Sequence, residues 1–452
     1  MSDDHTIRTA IVGETVAGLL ASLLREPLHS KLSRRLARIP GELVIAWALP
    51  ATAFVLGCLD DLTTPQRELV IEATAAYSDR IFTAPLGSLV PLACRVLNGN
   101  GYPVPVEVTV TASSGVVAGS HCSEVRVQHS GLDTLHVAAG SAATTLPVAV
   151  AVPAVVDLAL GDSLQVDRLP LGQPWAPTLR RNSRGQLELY FASLVTGTAT
   201  GDYEDLHRLV SDDSVHFRYD GVVLRHDSAG CSLTGSGFEN LAGVPRQEAL
   251  GWRMFVAGGS FSCYDWQVFS AVSTDERTWT LEPGIRVGSE SDSAMDNAYP
   301  TGEGIVVDQL LSGGWRMLNG AYGHAPPDAG RFEIIEWDSP DQLNWTYVGP
   351  ILTTQQMPAL GDENVYSPTI RQIAPGLWRM IFTGDNRSSP GGRSRLWSAV
   401  SIDLKNWQVE GQLMGSNSTN LYYSSLEGNR LGFIRWDDGA QRRLALATVS
   451  MP

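Results

Sequence analysis

Leu396-Trp-Ser-Ala-Val-Ser-Ile-Asp-Leu-Lys-Asn-Trp407 is an apolar run that ends in a polar turn and an aromatic residue. Its turn phrase, Ser-x-Asp-x-x-x-aromatic, recurs at Ser211/Asp213/Phe217, Ser273/Asp275/Trp279, Ser339/Asp341/Trp345 and Ser401/Asp403/Trp407. Ahead of the last three stand Trp252-Arg-Met, Trp315-Arg-Met and Trp378-Arg-Met, 63 residues apart. A third match joins distant copies: Trp175-Ala-Pro-Thr-Leu-Arg180 aligns without gaps on Tyr366-Ser-Pro-Thr-Ile-Arg371, and Gly185 then falls on Gly376. Self-similarity at one period outranks any single motif. Each unit reads as four antiparallel strands, which is a propeller blade. The Asp of the turn accepts backbone N–H bonds and the aromatic residue wedges between sheets, a structural role. The last unit, from Tyr422, stops before a fourth strand, and Val156 to Leu169 carries the missing alternation. That segment is expected to complete a fifth blade and remove an exposed edge.

Working outward, the reading gives a mainly β chain: residues 1–82 an N-terminal helical region, 83–153 an immunoglobulin-like β-sandwich, and 154–452 a five-bladed β-propeller. Residues 6–39 place Ile7, Ile11, Val12, Leu19, Leu20 and Leu23 at helical spacing, and Arg25, Lys31, Arg34, Arg35 and Arg38 make the later part basic. These helices are candidates for docking a protein partner. Thr64-Pro65 signals a second helix running to about Arg80. From Leu86 the period changes to two: Val90–Val96, Asn98-Gly-Asn-Gly101 and Val104–Val110 read as a hairpin, followed by strands at Ser123–Gln128, Thr134–Ala138 and Thr144–Val152. Leu43–Cys58 is apolar but only 16 residues long and holds Pro50, so it reads as buried core.

The 452 residues hold 33 Lys+Arg and 48 Asp+Glu, a net charge of −15, which excludes the basic face of a nucleic-acid binder. Hydrophobic residues at 43% against 18% charged give a chain with a large core, not a disordered one. Cys58, Cys94, Cys122, Cys231 and Cys263 are odd in number without a CxxC pair, so buried thiols are expected and neither a disulfide framework nor a zinc site. No secretory signal is visible at the start, which reads as cytoplasmic, with secretion by another route left open. No cofactor is implied, and no loop has the dense Asp/Asn pattern of a calcium site.

The residues also carry family resemblances. "N-G-x-P-V-x-V-x-V" around residue 101 resembles the small immunoglobulin-like modules of bacterial surface proteins and enzymes. Ser401-Ile-Asp-Leu-Lys-Asn-Trp407 resembles the "S-x-D-L-x-N-W" phrase of five-bladed propeller glycosidases, glycoside hydrolase families 43, 32 and relatives. Phe269-Ser-Ala-Val-Ser-Thr-Asp with Trp279-Thr-Leu-Glu-Pro-Gly resembles sialidase-like propellers. This second resemblance spans about 280 of the 452 residues. It implies a carbohydrate ligand, and cleavage of a glycosidic bond by carboxylates at the start of the inner strands. The general acid of such enzymes lies in an "E-G" phrase of the third blade, here Glu303-Gly304, level with Tyr366 and Trp175. The first blade departs from the pattern: the Asp of "D-P-[ST]" is replaced in Ala176-Pro177-Thr178. Glu239, Asp296, Asp362 and Glu363 are the candidate replacements. Arg180, Arg246 and Arg371, with the aromatic residues Trp175, Tyr299, Tyr366, Tyr422 and Tyr423, are the candidate substrate-binding groups. Two alternatives stand beside the hydrolase: a non-catalytic glycan- or protein-binding propeller, and a repurposed cyclase-like propeller of small-molecule biosynthesis.

Overall fold

The computed structural model describes residues 69–75, 81–98, 101–120, 122–157, 164, 173–198, 201–226, 237–246, 248–259, 266–288, 301–310, 313–322, 331–357, 364–386, 392–416, 418–437 and 441–452. The chain divides into two compact units, and most of the first, 1–69 with 97–103, lies outside the described residues. The predicted helices of residues 6–39 lie outside them too. Within 97–103 the chain turns on itself: the Gly101 amide donates to the Asn98 carbonyl at 2.8 Å and the Tyr102 amide to Asn98 Oδ1 at 3.0 Å.

The second unit, 70–96 with 104–452, opens with two four-stranded sheets. One has the order β1-β3-β6-β5, from β1 (Leu69–Ala75), β3 (Leu89–Asn98), β5 (Val117–Ala118) and β6 (Glu124–Val127). The other has the order β2-β8-β7-β4, from β2 (Phe82–Thr83), β4 (Thr109–Ala112), β7 (Gly131–Ala139) and β8 (Ala142–Ala151). Phe82, Val148 and Val150 of one sheet face Val90, Val117 and Val125 of the other, so the alternation in the sequence has a buried side. Two expectations are corrected. The helix expected up to Arg80 is replaced, over Leu69–Ala75, by a strand, because β-branched Val70, Ile71 and Thr74 find a pairing partner in β3. The buried thiols are replaced, at Cys94 and Cys122, by a disulfide between Cα atoms 5.8 Å apart. It lies just beyond the end of the β3–β6 ladder, where Pro91 faces Glu124.

Five four-stranded blades follow. Blade one holds β10 (Gln173–Arg181), β11 (Leu187–Thr198), β12 (Gly201–Ser211) and β13 (Arg218–Leu224); blade two holds β14 (Gly237–Pro245), β15 (Trp252–Gly259), β16 (Gln267–Ser273) and β17 (Thr280–Leu281). Blade three holds β18 (Thr301–Gln309), β19 (Trp315–Tyr322), β20 (Phe332–Ser339) and β21 (Thr346–Leu352); blade four holds β22 (Asn364–Ala374), β23 (Leu377–Asp385), β24 (Ser394–Ser401) and β25 (Gln408–Met414). Blade five takes β26 (Thr419–Glu427), β27 (Arg430–Asp437) and β28 (Arg443–Ser450) from the end of the chain and β9 (Val155–Asp157) from before blade one. Thr448, Val449 and Ser450 pair with Asp157, Val156 and Val155, so the start of the expected segment seals the ring; its continuation to Leu169 lies, apart from Leu164, outside the described residues. The inner strands touch in the order β10, β14, β18, β22, β26 and back to β10. The sandwich packs on this ring: Arg379 donates to the Val152 carbonyl at 2.7 Å and Gln408 to the Ile81 carbonyl at 2.8 Å.

The repeated phrases have structural work. In each Ser-x-Asp turn the aspartate accepts the serine hydroxyl and two amides, as Asp275 does from Ser273 at 3.0 Å and from Arg277 and Thr278 at 2.8 Å. The aromatic residues Phe217, Trp279, Trp345 and Trp407 are buried. The Trp-Arg-Met arginine joins a buried charge row across strands two, three and four. In blade two Arg253 donates to Glu282 at 2.8 and 3.0 Å, and Ser270 to the same carboxylate at 2.7 Å. Arg379, Ser398 and Glu410 repeat this in blade four. In blade three the carboxylate has moved strand: Glu336 takes the serine's position, facing Leu318 as Ser270 faces Phe255, and Val348 stands where the glutamate was. Burial pushes the Glu336 carboxyl up, and the Arg316 charge opposes it. Blade one inverts the row: Glu188 sits at the arginine's place, 3.8 Å from Arg208, which also pairs with Asp220. A lone buried charge costs several kcal/mol, so the row tolerates any order that balances.

The turn aspartates tie the fold to pH. Burial raises Asp341 and Asp403, but the amides of Asn344, Leu343, Asn406 and Lys405 outweigh it and hold both carboxyls at about 2. Hydrogen bonds also hold Asp213, from the His216 ring, and Asp275, from the Thr278 amide, below the usual range. Against an unfolded value of about 3.9, this stabilisation is complete above that value and is lost as pH falls toward about 2. Thermal melting from pH 5 downward should show a falling Tm, and Asp341→Asn with Asp403→Asn should flatten the slope; an unchanged slope contradicts the assignment.

Candidate functional site

Each inner strand bulges by at least one extra residue relative to its neighbour, and in each a left-handed residue sits in the bulge at one shared register. These are Ala176 (φ 43°), Asn240 (φ 44°), Gly304 (φ 74°), Ser367 (φ 51°) and Tyr423 (φ 52°). A non-glycine residue there is uncommon, and four of them with one glycine at a single register mark a built feature. The residues just before them are therefore equivalent: Trp175, Glu239, Glu303, Tyr366 and Tyr422. The sequence alignment levelled Glu303 with Tyr366 and Trp175, and the backbone register repeats it. Glu239, read from sequence only as lying before blade two, falls inside β14 at the same register position as Glu303. Two acidic residues thus occupy equivalent positions on adjacent blades.

The bulges also lock blade to blade. Thr178 Oγ1 accepts the Leu241 amide at 3.3 Å, Ser425 Oγ the Leu179 amide at 2.8 Å, and Thr369 Oγ1 the Leu426 amide at 3.1 Å. The threonine of the Pro-Thr phrase is thus an inter-blade clasp, and the hydroxyls run from blade four through five and one to two. Gly304 lies against blade four: a Cβ there would meet Ser367 Cα at 2.3 Å. Asn240 Nδ2 and Ser367 Oγ are buried without a hydrogen-bond partner, so the bulges of blades two and four hold unspent polar capacity.

The aromatic candidates gather between blades four, five and one. Trp175 lies 5.6 Å from Tyr422 and 4.6 Å from Tyr423, and Tyr423 lies 5.8 Å from Tyr366. Tyr366, Tyr422 and Tyr423 are buried, so they pack the ring, whereas Trp175 is half-buried with the Arg442 guanidinium 4.0 Å over its ring. Tyr366 also donates to Asp385 Oδ2 at 3.4 Å.

The arginines part from this group. Arg180, Arg246 and Arg371 lie beyond the bulges, toward or past the C-terminal ends of the inner strands; Arg180 is four residues past the bulge in blade one, about 13 Å along an extended strand. Arg180 is buried, paired with Glu276 of the next blade's turn and 5.0 Å over the Trp252 ring, so the expectation that it holds substrate gives way to an inter-blade ion pair. Arg246 pairs with Glu248 at 2.9 Å, and Arg371 donates to the Gly428 carbonyl. Asp296, Tyr299, Asp362 and Glu363 lie outside the described residues. Among the described residues no group of three His, Cys, Asp or Glu is placed to hold a metal.

No protein-family model matches the chain, and no curated protein matches it. Solved structures do. One described as a complex of BT0996 with RGII is 16% identical over 64% of this chain and 91% of its own, with a TM-score of 0.50. A thermostable family-43 glycoside hydrolase is 12% identical over 63% and 95%, TM-score 0.47, and an endo-arabinase from Bacteroides thetaiotaomicron VPI-5482 is 13% identical over 64% and 98%, TM-score 0.46. The likeness is one of fold alone: this chain shares its propeller fold with the first of these structures.

Gly304→Ala tests the packed bulge. The substitution meets both a left-handed backbone and the Ser367 backbone, and should cost at least about 2 kcal/mol. Chemical denaturation showing a loss under about 0.5 kcal/mol would contradict the packing.

Proposed function

We propose that the chain cleaves a glycosidic bond at the N-terminal ends of its inner strands, with Glu303 as proton donor and Glu239 as the second carboxylate. The observation that carries this reading is their common register, one residue before the left-handed bulge of blades two and three. Glycoside hydrolysis asks for two carboxyls, one giving its proton to the leaving oxygen and the other taking a proton from water or attacking the sugar carbon. The bulge of blade one offers no acid, since Ala176 stands there, and Glu239 restores the pair from the adjacent blade. Asp296, Asp362 and Glu363 remain as further acidic candidates near the starts of β18 and β22. A carbohydrate ligand is supported by the neighbour described as a complex with RGII.

Two subsidiary assignments go with this reading. The sandwich serves as an immunoglobulin-like packing module, supported by its two facing four-stranded sheets. The Cys94–Cys122 bond speaks for an oxidising compartment and against the cytoplasmic expectation, because such bonds persist where thiols are not kept reduced. Ala176 also favours a second reading, a propeller that binds glycans without turning them over.

A panel of chromogenic aryl glycosides and cell-wall polysaccharides separates the two. On a substrate that the full chain cleaves, Glu303→Gln and Glu239→Gln should each lower kcat by about 10²–10⁴-fold with Tm unchanged. Full activity in Glu303→Gln removes the assignment; binding without any turnover by the unaltered chain selects the second reading.

A further inference from the structure

A second polar group stands at the same end of blade one, outside the inner bulges. Across the blade, Pro174 faces Ser193 and Ser193 faces Asp205, so Asp205 of β12 lies level with the residue before Trp175. His226, just past β13, meets it twice: its Nδ1 lies 2.7 Å from Asp205 Oδ1, and its backbone amide donates to the same oxygen at 3.0 Å. The Tyr203 ring stacks on the imidazole at 4.1 Å, with 19° between planes. Arg225 Nη1 stands 3.6 Å from Asp205 Oδ2 and is exposed. The carboxylate is buried, 11% exposed in its side chain, and the imidazole above it is 23% exposed.

This group adjoins blade two. Glu204 pairs in parallel with Gly237, two residues ahead of Glu239, so β12 borders the inner strand of the next blade. A Cβ on Gly237 would meet the Glu204 carbonyl oxygen at 1.8 Å, so the strands come this close because that residue is glycine. β11 holds one edge of β12, so β13 and β14 share the other, β13 along Leu206–Val210 and β14 at Glu204, and His226, just past β13, leaves the sheet where the next blade's inner strand joins it. His226 Nδ1 is engaged by Asp205, and the pair stands on the outer strands of blade one rather than at an inner-strand bulge, so it is assigned to ligand and not to the bond at the bulge. A place on the outer strands, beside the inner strand of the next blade, suits a remote part of a long ligand.

We propose that Asp205, His226 and Tyr203 form an outer subsite for the hydroxyl groups of an oligosaccharide that extends from the mouth along the boundary of blades one and two. The Asp205 carboxylate accepts the Nδ1 proton and fixes the tautomer, which leaves the Nε2 lone pair as acceptor for a sugar O–H. Among the described residues Nε2 has no hydrogen-bond partner. Tyr203 fixes the plane of the ring. His207 makes the contrast: its Nδ1 is 2.8 Å from the Tyr219 hydroxyl, it is buried on Phe191, and burial drops it to about 4. Asp205 is a positioning residue, and His226 is the group that touches ligand.

The subsite rests on the carbohydrate reading above, and the test separates the two. The full chain, His226→Gln and Asp205→Asn are titrated against an immobilised array of plant and bacterial oligosaccharides graded from disaccharides upward. The preference of the full chain for long over short members of a series should fall about tenfold in His226→Gln and by a similar factor in Asp205→Asn, with Tm unchanged. Diethylpyrocarbonate followed by mass spectrometry gives a readout free of substrate: His226 should be modified and His207 spared. Binding by the full chain with the length preference intact in both variants overturns the subsite alone. An unmodified His226 overturns it as well. A full chain that retains no member of the array overturns the carbohydrate reading and the subsite with it.

Discussion

Five strands that run side by side toward one axis cannot all stay regular, and the left-handed residue in each inner strand is how this chain resolves the crowding. The extra residue bends the strand, and its backbone meets the neighbouring blade, as Gly304 meets Ser367. The hydroxyl clasps from Thr178, Thr369 and Ser425 then lie within two residues of the bend. Bulges raise the local twist and re-aim the side chains beside them. The same device that closes the ring therefore sets one register common to all five inner strands, at which glutamates stand on blades two and three and aromatic residues on blades one, four and five.

Much of this was legible because it is local. The Ser-x-Asp turn makes its hydrogen bonds within three residues, so Asp341 and Asp403 announce themselves wherever the turn recurs. The Trp-Arg-Met phrase is legible for a related reason, since in each copy the tryptophan faces the serine of the Ser-x-Asp turn at the same register. Blade one hid itself by inverting the charge row, with Glu188 where the others have arginine, and no phrase search finds a sign change that only its partners explain. The Cys94–Cys122 bond joins residues 28 apart with no spacing pattern, and β1 takes its conformation from β3, a partner that local propensity does not see.

The candidate site was half legible. Counting back from the Trp-Arg-Met phrase put Glu303 level with Tyr366, but the turn before that phrase is one residue longer in blade two, so the same count lands on Asn240, one past Glu239. Arg180 drew attention because arginines recur near the ends of inner strands, and it is there, but that end lies past the bulge and holds it in the pair with Glu276. Asp205 and His226, 21 residues apart, meet only because β12 and β13 pair. Ligand groups on neighbouring strands leave no periodic mark.

The seal of blade five has a bearing on how the chain is made. Its third strand ends at Ser450, and the strand that completes it ends at Asp157. A ribosome must therefore make the chain through Ser450 before the ring can shut, and until then four finished blades wait with open flanks. A nascent chain in that condition favours slow elongation or a chaperone, and tandem copies on one message risk lending their last strand to a sibling.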